Sequence, residues 1–127
     1  MKEEKYFFNQ VTDGFFENPN EVIKFANTLD YGPNPKGNFP GVRSHGLHLV
    51  DYNFFNSTLL RIFSLFYDYS KQGVKWDNVE MYFQKTYPFD PTNKNKLLNT
   101  GLVHQDGSWP LVGLIYLTPN ADLNSGT

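Results

Sequence analysis

The run Leu111-Val112-Gly113-Leu114-Ile115-Tyr116-Leu117 most restricts what this chain can become. It carries no charge and no proline, and it is far too short to span a bilayer, which takes about 20 apolar residues. Its length suits one β-strand, and its unbroken apolarity predicts burial on both faces. The fold must therefore supply layers on either side of a strand near the end of the sequence. With 127 residues, the chain is long enough for one domain with a substantial core. Aromatics make up 17% of it, including 12 Phe and 8 Tyr, so that core should be rich in rings.

Upstream, the pattern is helical before it is extended. Tyr6-Phe7-Phe8 predicts a first short strand. Asn18 suits an N-cap, Pro19 the first helical position, and Glu21 the position three after the cap. Val22, Phe25, Ala26 and Leu29 then recur at helical spacing and define one apolar face. Tyr31–Gly41, with three glycines and three prolines, predicts a loop. Val42–Val50 predicts an extended segment. A second helix, capped by Asn56 or Ser57, is expected to run to about Tyr69. Its residues Leu59, Leu60, Ile62, Phe63, Phe66 and Tyr67 give it a wide apolar face suited to burial.

Val79–Gln84 alternates as a strand does, with Val79, Met81 and Phe83 on one face and Glu80, Tyr82 and Gln84 on the other. Pro88–Asn99 is polar and irregular, and strands are expected at Leu102–His104 and Leu111–Leu117. Helices followed by strands, with no repeat and no linker, predict a single α+β domain over 1–127. Its helical, flanking part covers 1–75 and its strands 76–127.

Several classes of function are disfavoured. The net charge is -2 with acidic and basic residues intermixed, so no basic stripe offers a footprint for nucleic acid. There is no cysteine, which removes disulfides, thiolate metal sites and a thiol nucleophile. Met1–Lys5 is charged and no apolar stretch follows it, so a secretory signal is not expected. A soluble protein of the cytoplasm, without a membrane partner, is the expectation.

The residues that point to chemistry are His104-Gln105-Asp106. On a strand, residues two apart project to the same face, so an imidazole and a carboxylate converge. These are two of the three donors in the facial arrangement that holds non-heme Fe(II). Val103-His104-Gln105-Asp106 is followed in order by Ile115-Tyr116-Leu117 and by Ser125-Gly126-Thr127. Over Gly101–Thr127 this series resembles the prolyl-4-hydroxylase-like branch of the iron(II)- and 2-oxoglutarate-dependent oxygenases.

The resemblance implies a double-stranded β-helix, a jelly-roll or cupin-like barrel, with the N-terminal helices packed on it. It implies Fe(II) on His104 and Asp106, 2-oxoglutarate as cosubstrate, and room for ascorbate as a reductant. Oxidation of the cosubstrate to succinate and carbon dioxide would be coupled to hydroxylation of a small molecule or peptide. Tyr116 matches a tyrosine that reaches the distal carboxylate of 2-oxoglutarate in several relatives, and a core tyrosine is the alternative. Tyr87, in Tyr87-Pro88, matches one that lines the cosubstrate pocket, and Tyr82 competes for that role. Arg43, in Phe39-Pro40-Gly41-Val42-Arg43, falls in a motif near the entrance of the site in some relatives, or is a surface residue after a turn.

The sequence departs from the family after Asp106. The pattern requires a second His and then a basic residue, and 107–127 contain no His, Lys or Arg. The expectation is a fragment lacking the last barrel strands, inactive alone and prone to self-association through exposed strand edges. His45 and His48, three apart on an extended segment, would face opposite ways and do not substitute. A non-catalytic binding or structural protein on the same fold is the alternative of a different class. A cupin-type metal site ranks last because no His-x-His pair is present.

Overall fold

The computed structural model describes residues 9–32, 41–68, 71, 73, 75, 77–87, 92 and 111–121. The chain enters α1 (Pro19–Asn27), then β1 (Tyr31–Gly32), β2 (Val42–Ser44), α2 (Leu47–Val50), α3 (Tyr52–Ser64) and β3 (Gln84–Lys85).

Helix α1 forms where the spacing predicts it. Pro19 occupies the first turn, where its missing N–H costs nothing, and Val22 and Ala26 are buried. The capping differs from the expected reciprocal pair. The Asn18 side chain makes no cap bond; its backbone carbonyl accepts from the Glu21 N–H at 3.2 Å. Glu21 instead pairs with Lys24 at 2.7 Å on the exposed face.

The second helical region begins earlier than Asn56. Asp51 is the N-cap of α3, its carboxylate accepting from the Phe54 N–H at 2.9 Å. An aspartate satisfies an orphan donor at a helix start as well as a serine does, and Asp51 lies three residues ahead of the apolar Phe54-Phe55 pair. The helix ends at Ser64, and its buried stripe is Phe55, Thr58 and Leu59. The face is narrower than its composition suggests, because Leu60 and Tyr67 are exposed. The stretch read as extended over Val42–Val50 divides in two. Only Val42–Ser44 is strand, and Leu47–Val50 turns into the short α2.

The three strands form one antiparallel sheet in the order β1-β2-β3. Tyr31 opposes Ser44 and Gly32 opposes Arg43, so the start of the expected loop is a strand. On the other side of β2, Val42 opposes Lys85 and Arg43 opposes Gln84. The pairing continues beyond the ladder. The Ser44 N–H donates to the Phe83 carbonyl at 2.9 Å, and the Phe83 N–H donates to the Ser44 hydroxyl at 3.1 Å. The Leu47 N–H reaches the Met81 carbonyl at 2.9 Å. Ser44, 5% exposed, thus uses its side chain to complete a ladder that the backbone alone leaves open.

The strand expected over Val79–Gln84 is shorter, only Gln84–Lys85 being strand, but the alternation of burial read from the sequence is present in the residues before it. Val79, Met81 and Phe83 pack against a buried cluster of Leu47, Phe55 and Leu59, joined by Leu29, Phe54 and Phe63. Glu80, Tyr82 and Gln84 are exposed on the opposite face. Three rings tie the elements together: Phe25 of α1, Phe54 of α3 and Phe83 just before β3. Their centroids lie 5.2 Å (Phe25–Phe54), 5.8 Å (Phe54–Phe83) and 5.9 Å (Phe25–Phe83) apart.

The late apolar run behaves otherwise than expected. Residues 111–117 form no helix or strand, and Leu111, Val112, Leu114, Ile115 and Tyr116 are 37% to 66% exposed. A strand is buried on both faces only by layers placed against it, and no ladder partner for 111–117 lies among the described residues. The expected strands at Tyr6–Phe8 and Leu102–His104 lie outside the described residues. Among the described residues, no helix is long and apolar enough to cross a membrane.

Two substitutions test this packing. Gly41 sits at φ +90°, and a Cβ there would collide with the Lys85 carbonyl of β3. Gly41→Ala should lower stability by more than about 1 kcal/mol, read as a lower urea midpoint. Phe54→Ala removes the ring common to two of the three contacts and should cost about 3 kcal/mol, near the lower end for a buried phenylalanine because Phe54 is only partly buried.

Candidate functional site

Because β2 is in register with β3, and Ser44 and Leu47 hydrogen-bond to Phe83 and Met81 just before it, one polar cluster assembles on the face away from the core. Arg43 opposes Gln84, and its Nε–H donates to Gln84 Oε1 at 2.9 Å. The guanidinium carbon lies 5.6 Å from the centre of the Tyr82 ring, within reach of a cation–π contact. The Tyr82 hydroxyl donates to Glu80 Oε2 at 3.1 Å. Residues 39 to 41 positions apart in sequence thereby form one chain, Gln84–Arg43–Tyr82–Glu80. Across the same sheet, the Lys85 ammonium lies 4.1 Å from the Tyr31 ring centre.

The electrostatics follow from partial burial and from charge. Burial pushes the Tyr82 phenol up, the hydrogen bond to Glu80 and the Glu80 charge add to this, and Arg43 opposes it. Burial lowers the Arg43 guanidinium, and Tyr82 and Glu80 counter that. Burial alone raises the Tyr31 phenol. Tyr82 and Glu80 also line an open groove of about 510 Å³ with His48, Phe55, Asp77 and Val79. The His48 ring meets Phe55 edge-on at 5.8 Å, giving the groove one aromatic wall.

Of the residues singled out in the sequence, His104 and Asp106 lie outside the described residues. Tyr82 is placed at the groove and held by Arg43 and Glu80. Tyr87 is 56% exposed, two positions beyond β3, and Tyr116 is 65% exposed within 111–117. His45 is exposed, and His48 sits on α2 rather than on a strand, so the argument from opposite strand faces does not apply to this pair. Among the described residues, no group of three His, Cys, Asp or Glu side chains could hold a metal ion.

Glu80, Gln84 and Asp77 carried no role in the sequence reading. The alternation of 79–84 did put Glu80 and Gln84 beside Tyr82. Nothing local could supply Arg43 as their partner, since that depends on the register between β2 and β3. The chain matches no family model, no curated protein and no solved structure.

The raised Tyr82 pKa has a consequence for stability. A phenol that holds its proton more tightly when folded contributes stability that is fully present below its ordinary value of 10.0. That contribution is lost as pH rises through the higher folded value. Urea midpoints measured from about pH 9 to about pH 11 should therefore fall, and Tyr82→Phe should show the smaller fall.

Proposed function

We propose that this chain is part of an iron(II)- and 2-oxoglutarate-dependent dioxygenase that hydroxylates a small molecule or a peptide. The observation that carries the reading is the ordered series His104-x-Asp106, Ile115-Tyr116-Leu117 and Ser125-Gly126-Thr127. The donor chemistry fits: one imidazole and one carboxylate are what Fe(II) takes from a protein that leaves positions open for substrate and oxygen. The barrel of the resemblance is part of the same proposal, with α1 and α3 as its flanking helices.

His104 would bind through a neutral imidazole nitrogen and Asp106 through an ionised carboxylate, so metal affinity should fall as acid protonates either donor. Bound iron supplies the activation of oxygen that couples cosubstrate oxidation to substrate hydroxylation. The chain's own share is orientation and the exclusion of competing reactions. Tyr116, Tyr87 and Tyr82 are the candidates to donate a hydroxyl to the distal carboxylate of 2-oxoglutarate. Of these, Tyr82 has support from its position at the groove and beside the only described arginine on that face. The reading requires a second imidazole and a later basic residue that 107–127 do not contain.

The encoding DNA tests this first. An open frame beyond Thr127 is expected, with a His several tens of residues on and then Arg or Lys. A stop codon directly after Thr127 would remove the catalytic claim and favour a binding protein. The product of the longer frame, given iron and 2-oxoglutarate, should release succinate. His104→Ala and Asp106→Ala should each abolish that release, and undiminished turnover in either variant would refute the assignment.

A further inference from the structure

The groove beside the sheet gathers aromatic rings from three places in the chain. Phe55 of α3 is buried in its wall, the His48 ring of α2 stands edge-on to Phe55 at 5.8 Å, and Tyr82 lines it from the segment before β3. His48 holds this place because residue 46 is glycine. A Cβ at Gly46 would fall 2.6 Å from His48 Cε1 and drive the ring off. The same lining contains two exposed carboxylates, Asp77 and Glu80, and no Lys or Arg. Glu80 accepts the Tyr82 hydroxyl at 3.1 Å, which leaves the carboxylate further lone pairs. Asp77 forms no ion pair among the described residues. Arg43 lies 5.6 Å from the centre of the Tyr82 ring but outside the lining, and two carboxylates outweigh its charge.

Exposed carboxylates alone hold any cation weakly. Rings add selectivity, because the negative face of an aromatic ring attracts a cation that gives up its water readily. An alkylated ammonium does so and a bare, strongly hydrated ammonium does not. We propose that the His48, Phe55 and Tyr82 rings, with the Asp77 and Glu80 carboxylates, form a site for an alkylated ammonium group. The groove, about 510 Å³, has the size of a small-ligand cleft, with room for that group and for part of the molecule carrying it. The site is independent of the oxygenase reading, since none of its residues is a proposed iron ligand. Where both hold, the 2-oxoglutarate role passes from Tyr82 to Tyr87 or Tyr116, because Asp77 and Glu80 repel a dicarboxylate.

The test is an NMR titration of the chain with choline and with its uncharged isostere, the alcohol in which a tert-butyl group replaces the trimethylammonium. Choline should bind, and the isostere should bind about tenfold more weakly. Tyr82→Leu should weaken choline binding about fivefold, whereas Tyr82→Phe keeps the ring and should stay within about twofold of the wild type. Asp77→Asn and Glu80→Gln should each weaken it about two- to threefold. Gly46→Ala, which displaces the His48 ring, should weaken it about threefold. Resonances of His48, Glu80 and Tyr82 should move on binding.

Absence of choline binding overturns the proposal, and so does equal binding of the two compounds, which would leave only an apolar cleft. Binding that is unchanged in both Tyr82→Leu and Gly46→Ala, or that leaves the resonances of His48, Glu80 and Tyr82 unmoved, overturns it as well. The Tyr82 ring is 38% exposed and lies outside the core, so its two variants test the site in a folded chain. A trimethyllysine peptide that binds about tenfold tighter than choline supports the site with the ammonium on a protein partner. Equal binding of peptide and choline supports it with the ammonium on a small molecule. The succinate assay on the His104 variant judges the oxygenase reading separately.

Discussion

Everything described in this molecule depends on the meeting of Phe25, Phe54 and Phe83. One ring comes from each of three segments far apart in sequence, and the packing of Leu29, Val79 and Met81 around Phe55 and Leu59 reinforces their meeting. Helix α1 has nine residues, too few to be stable alone in water, so its existence rests on burial of Val22 and Ala26 and on the Phe25 contact. Strand β3 is two residues long and, among the described residues, pairs only with β2. Such fragments hold their geometry because rings of large area pack between them, two contacts tilted and one edge-on, adding specific orientation to the burial of apolar surface.

That packing is also what makes the outer face of the sheet chemically specific. In a strand, fixing one face fixes the other, because a slip of one residue would exchange them. Phe83 in the ring cluster and Met81 against Leu47 therefore oblige Glu80, Tyr82 and Gln84 to face outward together. Ser44 enforces the same register by exchanging hydrogen bonds with Phe83 through both its backbone and its hydroxyl. Arg43, its neighbour on β2, is left opposite Gln84 and over Tyr82 as a result. The polar cluster is thus a consequence of core packing transmitted through the sheet.

This explains which parts were legible in the sequence. Helix α1 and the alternation of 79–84 were readable because each is a local periodicity written by contact with a single core. The start of α3 was missed because Asp51 directly follows Val42–Val50, which reads as extended, and its capping role appears only once α2 turns. The division of Val42–Val50 into strand and helix follows from tertiary bonds of Ser44 and Leu47 to Phe83 and Met81, which no local pattern contains. Tyr82 was marked as a candidate for its place on a polar face. Arg43 became its partner only through register, a relation between segments about forty residues apart.

The apolar run 111–117 carries the same lesson in reverse. Its composition specifies what it needs, apolar layers against both faces, and composition cannot provide them. Where Val79, Met81 and Phe83 find Leu47, Phe55 and Phe54, they are covered and their strand is registered. Leu114 at 66% and Tyr116 at 65% exposed show the other case, a sequence of equally strong strand character that no described layer covers. Strand character is a demand for partners, and a strand forms when the rest of the fold meets that demand. For this chain the demand is met at Gln84–Lys85, paired with β2, while Val79, Met81 and Phe83 before it are covered by the core. That is why the chemistry the described residues can support is centred on Tyr82, and why the case for His104 and Asp106 rests on their sequence alone.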